Sequence, residues 1–263
     1  VLGARVDRHE DFGWETSPRG YLMYHPSDAL TLRAGVGHGF KAPTLKQLSP
    51  EYESRAAMGG RGIIRGNPEL EPETNQSFEL GAELDQGRWM VAATLFRNDV
   101  DNLIETIRLP TCDVPGRVCL EYDNIAEARL QGLELSGRIT LLDPLSLSAN
   151  YTYLDAENRV TKERLADRSR HRANASVNWD LTPALGTRLQ AEYHSSQLRS
   201  ATEPDSPGYT LVNWYLDYAV TRNLSLHTGI ENIGNERLAN DDPDDYDRVD
   251  PGRRYFVGLT VSF

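Results

Sequence analysis

Along the last nine residues, Tyr255 to Phe263, every second side chain is large and apolar: Tyr255, Val257, Leu259, Val261 and Phe263. Phe256, Gly258, Thr260 and Ser262 fill the gaps. A period of two belongs to an extended strand, because successive side chains leave opposite faces of the backbone. The rhythm recurs along the chain. Leu145, Leu147, Ala149, Tyr151 and Tyr153 oppose Ser146, Ser148, Asn150 and Thr152, and Val212, Trp214, Leu216, Tyr218 and Val220 oppose Asn213, Tyr215 and Asp217. The same test picks out Leu30 to Val36, Phe78 to Leu84, Leu133 to Leu141, Ala173 to Leu181, Leu189 to Tyr193 and Leu224 to Ile230. No comparable stretch repeats at a helical period, so the chain reads as all-β.

The alternation predicts about twelve strands: 1–9, 18–26, 29–38, 74–86, 89–108, 120–142, 145–157, 170–181, 185–197, 209–220, 223–232 and 254–263. The connections fall into two alternating classes. Short ones read HPSDA, DQGR, LDP, LTPAL and VTRN, rich in turn formers. Long ones cover 10–17, 39–73, 109–119, 158–169, 198–208 and 233–253. An antiparallel meander then carries all tight turns at one end and all long loops at the other, which is the plan of an outer-membrane barrel.

A soluble sandwich alternates in the same way, so periodicity alone does not choose between them. Three features favour the membrane. Charges crowd the polar faces of strands too numerous for a small soluble barrel, as a wet lumen requires. Trp89, Tyr153, Trp179, Tyr193, Tyr209 and Tyr255 gather near strand ends, where a membrane interface holds them. Strands of this length match the roughly 9 to 11 residues a tilted strand needs to cross a bilayer. On this reading the terminal Phe263 belongs to the periplasmic aromatic girdle, in a strand that must pair to close the barrel.

Composition narrows the partners. The 263 residues carry a net charge of -11, with Lys and Arg outnumbered 28 to 39 and no basic stripe, which argues against nucleic acid. No apolar run is long enough for a transmembrane helix. The chain opens on Val1 in mid-pattern, as a mature protein or a piece of a longer one does. Cys112 and Cys119, the only cysteines, lie in the turn-rich stretch LPTCDVPGRVC and are expected to pair in an oxidising compartment, the alternative being two free thiols. The histidines are too scattered to complete a metal site with them.

The stretch GFKAPTLKQLSPEYE, Gly39 to Glu53, followed by GNPELEPET, Gly66 to Thr74, resembles the paired signature of TonB-dependent outer-membrane receptors, in wording most similar to their ferric-siderophore, catecholate and colicin branch. LFRNDVDNLIE, YDNIAEARLQGLELSG, LSLSANYTYLDAE, GIENIGNERL and RRYFVGLTVSF agree in order and spacing, so the resemblance covers essentially the whole chain. It implies that residues 1–263 are the C-terminal part of a 22-stranded transmembrane β-barrel, with the plug domain, the TonB-contacting segment and the first strands lying outside this sequence. The implied function is import of a ferric siderophore across the bacterial outer membrane, energised through TonB, with lipopolysaccharide around the barrel and colicins or phages as adventitious partners. Two alternatives stay open: a self-contained 12-stranded porin or barrel enzyme, and a haem or vitamin receptor of the same architecture.

Phe40, Lys41, Ala42 and Pro43, with Gly66, Asn67, Pro68 and Pro72, identify the family and are expected to shape the long loop rather than touch ligand, since the strand must end before Pro43. A bulky anionic iron chelate calls for cations and aromatic faces. The loop candidates are Tyr52, Arg55, Arg61, Arg65, Arg164, Arg168, Arg170, Tyr246 and Arg248. The run DDPDDYD, Asp241 to Asp247, is oxygen-rich but lacks the ordered spacing of a calcium loop, and reads as a solvated acidic loop, with a Ca²⁺ site as the lesser alternative. No resident cofactor is expected. Nor is catalysis: His194 and Ser195 stand side by side, but neighbours in a strand face opposite ways and cannot form a dyad.

Overall fold

The computed structural model describes residues 1–57, 61–198, 205–237 and 252–262. Fourteen strands and one short helix follow one another as β1 (Leu2–His9), β2 (Gly13–Tyr24), β3 (Leu30–Lys41), α1 (Leu45–Leu48), β4 (Glu53–Ala57), β5 (Gly62–Arg65), β6 (Glu73–Asp85), β7 (Trp89–Arg108), β8 (Val118–Leu142), β9 (Leu145–Asn158), β10 (His171–Thr182), β11 (Leu185–His194), β12 (Tyr209–Thr221), β13 (Leu224–Glu231) and β14 (Arg254–Val261). Twelve of them form one antiparallel meander, each strand beside the next in the order β1-β2-β3-β6-β7-β8-β9-β10-β11-β12-β13-β14. The path is open: among the described residues β1 and β14 each have a single neighbour.

The register keeps the two faces apart across the whole sheet. Leu147 pairs with Ile139 and Val177, Val177 with Leu189, Leu189 with Trp214, and Trp214 with Ile230. One row over, Ser148 meets Arg138 and Ser176, and Ser176 meets Gln190. Among the described residues nothing packs on the apolar face: Leu80 is 60% exposed, Leu95 56% and Val257 74%. A contiguous exposed apolar face of this extent fits hydrocarbon, not water. The polar face carries cross-strand pairs: Arg33 lies 3.6 Å from Glu79 and donates to Thr94 Oγ1 at 2.9 Å, and Ser148 Oγ lies 2.7 Å from Ser176 Oγ.

Buried residues do not lie between layers of sheet. Ile63, Leu70, Ile104, Cys119, Ala128, Ala156 and Leu165 all sit at the long-loop end. There β7 and β8, 20 and 25 residues long, run on as a ribbon past the roughly 9 to 11 residues that cross a bilayer.

Three expectations need correction. The connection 10–17 is only a tight turn, because β2 begins at Gly13. Pro18 pairs with Ala4, but β3 does not join β2 until Arg19, so proline's missing N–H falls on an open edge and costs no ladder bond. The 39–73 connection is built rather than irregular: it holds α1 and the β4–β5 hairpin, and β5 adds to β8 in parallel. Tyr209 leaves the aromatic belt, since its pairing with His194 sets it on the polar face, where the two rings stack at 4.8 Å. Trp89, Trp179, Tyr193 and Tyr255 do lie exposed on the apolar face, and Trp14 and Tyr24 are exposed too. Phe263 lies outside the described residues.

Candidate functional site

The long loop leaves β3 at Lys41, whose Nζ lies 2.8 Å from Glu73 Oε2 directly across the sheet. Glu73 is buried, and its other oxygen accepts the backbone N–H of Ile104 at 2.9 Å. Pro43 is buried where the chain turns away. Thr44 then caps α1 in a capping box with Gln47, and Lys46 stands 5.1 Å over the Tyr52 ring. On the return, Gly66 lies against the backbone of Ser49 so closely that a Cβ would collide with its carbonyl oxygen.

Asn67 and Asn124 tie that return to the ribbon. Asn67 N–H donates to Gln47 O at 2.7 Å, and its side-chain amide donates to Tyr122 O at 3.0 Å. Asn124 donates to Glu71 O and Asn102 O and accepts from Glu71 N–H at 2.8 Å. Pro68 is exposed and Pro72 half-buried between these ties, while Phe40 and Ala42 flank Lys41 without either being buried. The motif residues therefore clamp the loop onto β7 and β8. Replacing Glu73 with alanine should leave the Ile104 N–H buried without an acceptor, at a cost of about 1 to 3 kcal/mol. Hydrogen exchange at Ile104 is expected to accelerate in Glu73→Ala and not in Glu73→Gln, which keeps the acceptor. Equal exchange in both variants would refute the role.

The cationic candidates fall into two groups. On the β4–β5 hairpin, Arg55 Nε lies 2.6 Å from Glu53, and Arg65 reaches Asp113 at 2.7 Å and Glu53 at 3.7 Å. The Arg65 guanidinium holds the Asp113 carboxyl below its ordinary range, and the same hydrogen bond raises Arg65. Asp113 is fixed in turn by the Cys112–Cys119 disulfide, which places both sulfurs beyond use as metal ligands. Arg61 is exposed, and its carbonyl accepts from Val118 N–H at 3.1 Å. Tyr52 takes a hydrogen bond from Lys46 that lowers its phenol.

The second group rides on the β9–β10 loop, held down by Leu165 against Ala128 and Ala156. Arg168 reaches Glu105 on β7 at 3.2 Å, Arg170 reaches Asp155 at 3.5 Å, and Arg164 bridges to Glu157 through its backbone. Arg65 pairs across β5 with Glu121, and Glu121 pairs with Ile107, two residues beyond Glu105. Both groups thus flank one stretch of the β7–β8 ribbon. A guanidinium has five N–H donors, so a single carboxylate leaves several for an incoming oxygen ligand. Tyr246, Arg248 and the Asp241–Asp247 run lie outside the described residues.

Sequence reasoning passed over Lys46 and the carboxylates Glu53, Glu105, Asp113 and Asp155. The capping box T-x-x-Q at Thr44 was a readable signal for α1. The carboxylate partners carried none, because they come from other loops and strands.

The model of the family described as TonB dependent receptor-like, beta-barrel matches residues 1–233. The iron-regulated outer membrane virulence protein of Vibrio cholerae is 28% identical over 100% of this chain and 42% of its own length. The ferric enterobactin receptor of Pseudomonas aeruginosa is 28% identical over 99% of this chain and 40% of its own. Its crystal structure as a variant in complex with enterobactin superposes with a TM-score of 0.78 at 26% identity, covering 100% of this chain and 43% of that one. The chain thus spans about two fifths of the length of the relatives it matches. A copper transporter at 19% identity and TM-score 0.74 shares the fold alone.

Proposed function

The chain belongs to the TonB-dependent receptor β-barrel family, and from that membership we propose that it is the C-terminal barrel portion of an outer-membrane receptor that imports a ferric catecholate siderophore. The family consists of transport receptors, and the finer reading rests on one observation. The loop signature Gly39 to Thr74 builds a clamped, cation-bearing platform above the sheet, and relatives alike over essentially the whole chain are named for ferric enterobactin.

The arrangement suits the task. Arg55, Arg61, Arg65, Arg164, Arg168 and Arg170 ring the ribbon at the long-loop end, and Tyr52 adds an aromatic face. A ferric catecholate is anionic and aromatic, so charge-assisted hydrogen bonds and ring contacts would hold it there. The exposed apolar face supports a barrel seated in the outer membrane, where lipopolysaccharide would surround its upper rim. Energy for release into the periplasm would come from TonB acting on parts of the receptor outside this sequence, since the sequence carries no nucleotide-binding loop.

The test is growth. A strain stripped of its own catecholate receptors and given the intact receptor is expected to use ferric enterobactin as sole iron source only while TonB is present. Absence of growth with the receptor present at the cell surface would overturn the reading.

A further inference from the structure

The polar face of the sheet is not uniform. On β3, β6 and β8 it is densely charged and self-paired, with Arg33 between Glu79 and Glu83 at 3.6 and 4.0 Å and Arg138 on Asp85 at 2.7 Å. On β9, β10 and β11 the register lays out another surface. Thr152, Arg172 and His194 form one row, Asn150, Asn174 and Glu192 the next, then Ser148, Ser176 and Gln190, then Ser146, Asn178 and Arg188. The lower rows line a polar cavity of about 340 Å³ that includes Asn150, Asn174, Ser176, Asn178, Arg188 and Gln190.

Charge on this strip is sparse and placed at its ends. Arg172 is exposed and engages none of the carboxylates among the described residues. Beside it, His194 is held by Glu192 at 2.7 Å and stacks on Tyr209 at 4.8 Å, so an aromatic wall flanks the exposed guanidinium. Six residues down β11 from His194, about 20 Å at strand rise, Arg188 takes part in no ion pair among the described residues; its Nε donates to Asn178 Oδ1 at 3.0 Å. Between the two arginines lie amides and hydroxyls, with Ser148 and Ser176 2.7 Å apart, and one carboxylate, Glu192, which His194 engages at 2.7 Å. Such groups offer donors and acceptors in series, none strong enough to trap a ligand, which is what passage along a wall requires.

We propose that the lumenal face of β9–β11 is the wall along which an anionic, oxygen-rich iron chelate moves, received at Arg172 and drawn on towards Arg188. The proposal rests on the ferric-siderophore reading above and adds the route. It assigns function to Arg172 and Arg188, which face the lumen, and separates passage from capture by the loop arginines.

The experiment uses the intact receptor in cells with ⁵⁵Fe-enterobactin, measuring surface binding without energy and import at saturating ligand. Arg188→Glu and Arg172→Glu are expected to slow saturated import by roughly tenfold, with Arg188→Glu leaving binding affinity within about twofold. Arg188→Lys and Arg172→Lys should restore import, which a merely structural role would not predict; Arg→Gln variants serve if a Glu variant fails to reach the membrane. Import unchanged in both charge reversals, while the unmodified receptor imports, overturns the route alone. An unmodified receptor at the surface that neither binds nor imports the probe overturns the siderophore reading and the route together.

Discussion

Valine in place of Gly66 is expected to undock the long loop and, on the proposed reading, to weaken capture of ferric enterobactin by the intact receptor by about 10- to 100-fold. The position is not demanding in its dihedrals, since Gly66 is absent from the positive-φ glycines. What it lacks is room. An added Cβ would overlap the Ser49 carbonyl oxygen, lie 2.8 Å from the Ser49 carbonyl carbon and 3.1 Å from Gln47 O. These are backbone atoms at the end of α1 and cannot swing aside as a side chain would. Relief must come from parting α1 from β5, which strains the bonds from Gly66 N–H to Tyr52 O and from Asn67 N–H to Gln47 O. Overpacking typically costs 1 to 3 kcal/mol, roughly one to two decades in the docked population. Surface binding and protease nicking between Gly39 and Glu73 report it. Wild-type affinity together with unchanged protection of the loop would show that the clamp does not matter.

The second large effect is on assembly. Leu135 lies on the apolar face of β8, 41% exposed, paired with Ala93 on β7 and Tyr151 on β9. Leu135→Arg puts a charge into hydrocarbon and is expected to cost about 2 to 4 kcal/mol of folding stability at mid-membrane depth. Its neighbour Glu134 faces the other way, opposite Thr94 and Thr152, so Glu134→Gln should change stability by less than about 1 kcal/mol. Denaturant unfolding of the intact receptor in lipid vesicles measures both. If Glu134→Gln proved the more damaging, the assignment of faces would be inverted.

The alternation of Leu145 to Thr152 and of Val212 to Val220 was enough to read strands, faces and antiparallel order, because a period of two is a local property of the backbone. Where local signals misled, the reason was local too. Pro18 marked a loop by its chemistry, yet it sits in β2 on an edge that only the late arrival of β3 leaves open. Tyr209 stood near a strand end as belt residues do, but its parity with Asn213 and Asp217 already assigned it to the lumen. The T-x-x-Q box at Thr44 announced α1, and in a loop with no helical period it went unread.

For the site, the sequence by itself determined which residues bear cations and rings and which prolines and glycines punctuate the loop. Only the tertiary structure decided how they are held. Arg65 meets Asp113 across 48 positions, Arg168 meets Glu105 across 63, and Asn124 meets Glu71 across 53. No spacing rule reaches that far, because such pairs exist only once strand register brings distant loops over one ribbon. Arg172 is the converse case. In the sequence it is one arginine in the run Arg168, Arg170, Arg172; in the fold it lies inside β10 on the polar face and engages no carboxylate among the described residues, while Arg168 and Arg170, ahead of the strand, find theirs. Residue type sets what a side chain can do, and register sets what it has left to do it with.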